Sequence, residues 1–334
     1  MRNKKIKTVL LPLCAILLAI VLLFAIASML EKKTSQSGKT QNSGSKEEVV
    51  SQADSNHNTI VYEGNTYEYN SNLENYLFLG VDTKEEVVLQ DTPGTAGQAD
   101  CIMVLSVNRK DKTARILQIS RDSMTDIDLY DINGNYFTSV RAQIATQYAY
   151  GNGKDTSCWA MKKTVSELLY GLPLDGYISL NIEGIRAMND AVGGVTITIP
   201  EDYTFIDPAF VEGSQITLTG EQAERYVRYR DINQQGSNNG RMKRQVQYIP
   251  ALISAIREQA GSSGDFYGTY QNILAPYMVT DMSVDQINRL SDYALSDEVA
   301  YVPGEAVPGE QNEEFVVNEE KLKKILIKMF YKIC

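Results

Sequence analysis

Residues 8–30 form an unbroken run without a charged side chain, with Arg2, Lys4, Lys5 and Lys7 before it and Glu31, Lys32 and Lys33 after it. Twenty-three helical residues, rising about 1.5 Å each, cover the roughly 30 Å of a bilayer's hydrocarbon. The run predicts a transmembrane helix over 8–30, behind a basic N-terminus over 1–7. Ala25-Ile26-Ala27 resembles a leader cleavage site and keeps a removed signal peptide as the alternative, although an apolar stretch beyond about 15 residues is long for one. Four basic residues before the span against two after it put residues 1–7 in the cytoplasm and the rest of the chain outside the cell.

The segment 31–58 is rich in Ser, Gln, Asn, Gly and Lys, a composition that forms a flexible extracellular linker rather than a core. Removing residues 1–33 takes six of the 32 basic residues and one of the 42 acidic ones, leaving 26 against 41, a net charge of about -15. That balance excludes sequence-independent nucleic-acid binding, which needs a broad basic face. The one histidine, His57, falls in the linker. A Ser-His-Asp triad, a histidine zinc site and a histidine base therefore all lack their central residue. Cys14, Cys101, Cys158 and Cys334 show no C-x-x-C spacing, so neither a disulfide framework nor a zinc ribbon is indicated. A Cys101–Cys158 bridge and two buried thiols remain equal alternatives.

The folded part begins after the linker. Ile60–Tyr62 and Tyr67–Tyr69 flank Glu63-Gly64-Asn65-Thr66 as a hairpin, and Asn75–Gly80, Cys101–Val107 and Ala114–Ile119 are apolar runs that read as central strands. Residues 141–150 and 155–170 read as helices, Tyr177–Leu180 as a strand, Glu183–Ala191 as a helix stopped by Gly193-Gly194, and Val195–Ile199 as a strand. Further helices are expected over 220–227, 241–257, 283–295 and 319–331. Helices alternating with strands predict an α/β fold, a layered α-β-α mixed sheet with helices on both faces. The main domain is placed at 59–257, with 258–334 as a C-terminal extension packing on it. The amphipathic last helix, rich in Lys, either touches the membrane surface or packs on the domain.

Four arginines, Arg228, Arg230, Arg241 and Arg244, fall within seventeen residues of this acidic chain. Guanidinium groups stay charged at any working pH and grip phosphate oxygens as a fork. Arg228 and Arg230 share a side only on extended backbone, so the helix from Gly220 must end before Arg230. Arg241, Arg244 and Gln245 share one helix face. Asp82, Asp100 and Arg121-Asp122 sit at strand ends, where ligand sites of open sheets collect; Asp100, at the start of its strand, joins them only if that strand runs antiparallel to its neighbour. For each residue alone, a turn cap or a surface salt bridge is the competing reading.

The ordered set of segments resembles the LytR-CpsA-Psr proteins of Gram-positive bacteria. The matching stretches are Tyr76–Asp82, Ala99-Asp100, Val104–Asn108, Ile119–Asp122, Tyr148–Gly151, Leu172–Asp175, Gly193–Val195, Leu218–Ala223, Arg228-Tyr229-Arg230, Gly240-Arg241 and Arg244-Gln245. The resemblance implies a membrane-anchored phosphotransferase that moves a glycopolymer from a polyprenyl-pyrophosphate carrier onto peptidoglycan with Mg²⁺ at the pyrophosphate. It implies that Asp82 and Asp100 are the metal-associated carboxylates and that Arg121, Arg228, Arg230 and Arg241, with Gln245, hold the pyrophosphate. Arg244 is grouped with them by its helix face, and Asp122 is the candidate to orient or deprotonate the attacking hydroxyl. The chain departs from the family pattern at Gln98, Cys101, Gln143-Ile144-Ala145 and Asn238. A polyprenyl tail also needs a slot, for which apolar residues at 141–150, 160–170 and 246–256 are candidates, with plain core as the alternative. Two other functions use the same site: a hydrolase with water as acceptor, and a module that holds a lipid-linked anion without turnover.

Overall fold

The computed structural model describes residues 59–131, 133–231, 233–260, 266–310 and 312–334. The N-terminus, membrane helix and linker expected over 1–58, with His57 and Cys14, lie outside the described residues.

Strands β1 (Thr59–Tyr62) and β2 (Asn65–Tyr69) make the expected hairpin. Glu63 and Gly64 both take positive φ, 49° and 78°, the two-residue reversal whose twist matches paired strands. The three apolar runs become β3 (Leu73–Val81), β4 (Ala99–Asn108) and β5 (Thr113–Ile119), antiparallel neighbours in that order. Next come β6 (Met124–Tyr130) and β7 (Tyr136–Gln143), a separate two-stranded ribbon. The helix expected over 141–150 is only a 3-10 turn at Ile144–Tyr150, because Arg141–Gln143 pair with Met124–Asp126 and are held extended.

Helix α1 (Asp155–Leu168) leads to β8 (Gly176–Asn181) and α2 (Ile182–Ala191), whose first turn is capped by the Asn181 side chain accepting from the Gly184 N–H. The pair β9 (Val195–Thr198) and β10 (Gln215–Leu218) forms its own small sheet before α3 (Gly220–Arg228), which opens on a Thr219/Gln222 capping box. After α3 come α4 (Ser237–Ala260), α5 (Phe266–Leu274), β11 (Met278–Thr280) and α6 (Val284–Arg289). The chain closes with β12 (Ala294–Tyr301), the hairpin β13 (Gly304–Pro308) and β14 (Glu313–Val317), α7 (Glu319–Phe330) and β15 (Tyr331–Ile333).

The central sheet has the order β11-β8-β3-β4-β5-β12 and is mixed: β3 pairs parallel with β8 and β5 with β12, while the other neighbours are antiparallel. Alternation along the strands sends Leu77, Leu79, Val104 and Leu117 to one face, against α1, the 3-10 turn and α7. Tyr76, Met103, Leu105 and Ile116 go to the other, against α4 and α6. The mixed α/β sandwich expected from the sequence is therefore present. Leu322, Leu326 and Phe330 of α7 are fully buried in the first layer, each worth about 1.5–3 kcal/mol, so the apolar face of the last helix is turned inward rather than to a lipid surface.

Two expectations change in the C-terminal quarter. The helix read over 283–295 stops at Arg289, and Ala294 onward forms an edge strand beside β5. Residues 258–334 also supply the opposite edge, β11, so this segment completes the sheet. Cys101 and Cys158 are free thiols on opposite sheet faces, a placement that rules out a bridge. Burial pushes both up to about 12, which leaves them inert.

Candidate active site

Because β3 and β4 run antiparallel, the end of one lies beside the start of the other, and Asp82 and Asp100 come to the same end of the central strands. The ladder pairs Gly80 with Cys101 and Val81 with Ala99. Asp100 is thus the extra residue of a bulge, a device that re-aims a side chain. A Cβ on Gly80 would sit 2.9 Å from that of Cys101, so only glycine lets the strands close here.

Asp100 is the hub. Its Oδ1 lies 2.8 Å from Nη1 of Arg121 and its Oδ2 accepts from Nη1 of Arg241 at 3.0 Å. Arg241, 3% exposed, also donates from Nε and Nη2 to Asn238 Oδ1 at 3.2 and 2.8 Å, and Asn238 donates onward to Ser120 Oγ at 3.0 Å. Arg121 donates to Gln98 Oε1, and the Gln98 N–H donates to Asp82 Oδ1 at 2.6 Å. Asp82 thereby fixes the residue that holds Arg121.

Asp122 is 2% exposed, with Arg230 Nη1 at 3.5 Å from Oδ2, Arg121 Nε at 3.6 Å from Oδ1, and Gln143 Nε2 donating to Oδ1 at 3.1 Å. Its Oδ2 accepts no hydrogen bond. Burial raises its pKa above the ordinary carboxylate value, Arg121, Arg230 and Arg241 oppose that, and Glu313 adds to it. A raised carboxyl pKa means that folding takes up a proton, so this group's contribution to stability is greatest below the unfolded value and is lost as pH rises through the folded one. Asp122→Asn should therefore gain stability relative to the native chain between pH 4 and pH 7.5, read as the urea midpoint at each pH. A native chain that gains on the variant over that range would contradict the assignment.

The remaining predicted residues are placed differently. Arg228 pairs with Glu224 at 3.1 Å, a carboxylate it shares with Arg186, and has no recorded contact with Asp100 or Asp122. Arg244 donates from Nε to Tyr226 O at 2.7 Å and from Nη2 to Tyr229 O, and stacks over Tyr203. Gln245 donates to Val227 O at 3.1 Å and accepts from Gln118 at 3.3 Å. Spacing put both with Arg241, yet their amide and guanidinium groups satisfy the orphan carbonyls at the C-terminus of α3. Tyr229, whose carbonyl Arg244 holds, is in extended backbone with ψ 133°, and the next residue, Arg230, reaches Asp122.

Behind the cluster a cavity of about 240 Å³ runs between the sheet and α4. Gly80, Cys101, Val227 and Gln245 line it nearest the ionic groups, and Ile249, Leu252, Ile253 and Ile256 line it along α4. Of the three stretches offered as slot lining, only 246–256 serves; the others pack on the opposite sheet face. Among the described residues no three acidic, His or Cys side chains gather as a metal site. Asp82 and Asp100 still fit Mg²⁺, which takes one or two carboxylates and fills its shell from water and substrate phosphates. Asp100 Oδ1 is buried and accepts no hydrogen bond despite the nearby Arg121.

Gln98, Gln143 and Asn238 are legible only as departures from a family pattern, yet Gln98 touches Arg121 and Asp82, Gln143 touches Asp122 and Asn238 touches Arg241. Glu313 gave no signal at all.

The LytR_cpsA_psr family model matches residues 25–330. The polyisoprenyl-teichoic acid–peptidoglycan teichoic acid transferase TagU of Bacillus mycoides is 28% identical over 231 residues, 69% of this chain and 68% of that protein. The TagU of Halalkalibacterium halodurans is 31% identical over 177 residues, 53% of this chain and 51% of that one. The matched region thus spans between about half and two thirds of these relatives' length. A solved structure of TagT bound to LI-WTA superposes with a TM-score of 0.57 at 22% identity, covering 77% of this chain and 89% of that one; it bears on the fold alone.

Proposed function

The chain belongs to the LytR-CpsA-Psr family, and on that premise we propose that it transfers a teichoic-acid-type glycopolymer from a polyprenyl-pyrophosphate carrier onto peptidoglycan. The observation that carries this reading is a buried arginine–carboxylate cluster at one end of an apolar slot. A diphosphate joined to a long hydrocarbon is the ligand class that needs both. In this proposal residues 8–30 anchor the chain, with the N-terminus in the cytoplasm and the site at the outer membrane face.

The apolar tail lies along α4, and Arg121, Arg230 and Arg241 take the pyrophosphate oxygens. Asp100 holds two of these guanidinium groups aimed and close before substrate arrives, so little reorganisation is needed on binding. When bound, Mg²⁺ held by Asp82 and Asp100 supplies further charge neutralisation at the pyrophosphate. Asp122, whose buried Oδ2 accepts no hydrogen bond and whose pKa is raised, orients the acceptor hydroxyl and receives its proton. The hydroxyl oxygen forms a bond to the sugar-linked phosphorus as the bridging P–O bond breaks. The products are a phosphodiester-linked polymer and polyprenyl phosphate.

The test is the full-length chain with a polyprenyl-pyrophosphate-linked glycan, Mg²⁺ and peptidoglycan fragments. Polyprenyl phosphate release matched by polymer attached to glycan is the expected result. Release without attachment would replace the transferase by a hydrolase, and binding without release would leave a binding module.

A further inference from the structure

The hairpin of β13 and β14 lies outside every segment that pointed to the site, yet it grips the site from two sides. On one side the Phe315 N–H donates to Asp122 O at 2.8 Å, and Ser123 pairs with Phe315 in an isolated bridge. Gln143 Nε2, which donates to Asp122 Oδ1, also donates to Glu313 O at 2.6 Å. On the other side Glu313 Oε2 accepts the Gly236 N–H at 2.5 Å, and Gln235 Nε2 donates to Ala306 O at 3.0 Å. Gly236 has φ +73°, a conformation that costs other residues about 1–2 kcal/mol.

Residues 231–236 connect Arg230 to α4, which carries Asn238 in its first turn and Arg241 in its second. Within it the Asn233 N–H donates to Asp231 Oδ1 at 2.9 Å and the Gln234 N–H to Asp231 O at 3.2 Å. Besides the Ser237 N–H to Gln234 O and the Asn239 N–H to Gly236 O, which join it to the start of α4, its hydrogen bonds to other parts of the fold among the described residues are the two to the hairpin. One residue therefore links both halves of the ionic cluster: the Glu313 carbonyl holds the amide that holds Asp122, and the Glu313 carboxylate holds the loop between Arg230 and Arg241.

We propose that Glu313 is a positioning residue for the pyrophosphate site, its carboxylate locking the 231–236 loop and so setting Arg230 and Arg241 at their distance from Asp122. This rests on the anion-binding reading above. Glu313 touches no reacting atom; it acts through the loop. A displacement of about 1 Å in a binding group can cost about 100-fold in rate, so a single hydrogen bond at this point has leverage beyond its own strength.

The test compares Glu313→Ala and Glu313→Gln in the full-length chain, with three readouts. Hydrogen exchange is measured over the peptide covering 233–240, affinity is measured for geranyl pyrophosphate, and the thermal midpoint reports global folding. In Glu313→Ala the loop should exchange at least tenfold faster and affinity should fall about tenfold, by the size of one lost charge-assisted hydrogen bond, with the midpoint nearly unmoved. Glu313→Gln keeps an oxygen that accepts the Gly236 N–H and should restore both exchange and affinity to within about threefold. Unchanged exchange in Glu313→Ala overturns the proposal, as does faster exchange with unchanged affinity, or a Gln variant as defective as the Ala one. If Glu313→Ala does not fold, Glu313→Asp, shorter by one methylene, carries the same readouts. A native chain that fails to bind geranyl pyrophosphate would refute the anion-site reading, and loop exchange would still decide whether Glu313 locks the loop.

Discussion

Arg241→Ala is expected to cost about 3 kcal/mol of folding stability and to lower transfer at least 100-fold. The stability figure lies at the low end for breaking a buried ion pair because Asp100 is 21% exposed and keeps Arg121, whereas the Arg241 side chain is only 4% exposed. The variant leaves Asp100 Oδ2 and Asn238 Oδ1 without their donor in the interior. Stability and chemistry can be separated by removing the partner as well. Arg241→Met with Asp100→Asn replaces the pair with neutral groups of similar volume, which is often neutral for folding. That double variant should recover most of the urea midpoint and none of the transfer. An Arg241→Ala chain that loses stability but keeps full transfer would show that the cluster is an ordinary structural ion pair.

The second large effect is expected in the slot. Ile253→Trp adds a ring where side chains already border empty volume, so it should shift the thermal midpoint by no more than a few degrees. In a filled core the same change would overpack and cost about 1–3 kcal/mol. The ring should weaken binding of a long polyprenyl pyrophosphate at least tenfold and leave inorganic pyrophosphate unaffected. Equal weakening of both ligands, or of neither, would detach the slot from the anion site.

Much of this arrangement is legible in the chain itself. Strands β3, β4 and β5 are apolar runs bounded by Gly80, Asp100 and the charged turn 109–112, and the ends of those runs are where the carboxylates and Arg121 emerge. The reversal at Glu63-Gly64 and the stop at Gly193-Gly194 follow from backbone conformations that glycine tolerates. The ribbon of β6 and β7 is only half legible: Asp126-Ile127-Asp128-Leu129 alternates and Ile127 is buried, but Phe137 and Val140 of β7 are exposed, and pairing with β6 holds that strand extended. Likewise 283–295 carries a helical pattern, and only the open edge of β5 turns its end into a strand. Spacing places Arg244 and Gln245 beside Arg241, but periodicity cannot say that their neighbours are the carbonyls ending α3 rather than a ligand. Glu313 escapes for a related reason: a carboxylate becomes part of a site 191 positions from Asp122 only through tertiary packing.

The central claim is that Arg121, Arg230 and Arg241 converge on one diphosphate at the mouth of the slot. An experimental structure of the protein with geranyl pyrophosphate tests it most directly. The account predicts diphosphate oxygens within hydrogen-bond reach of those three guanidinium groups and the isoprenoid chain running toward Ile249 and Ile253. A diphosphate seated instead on the Arg228–Glu224–Arg186 surface, with the slot empty, would contradict it.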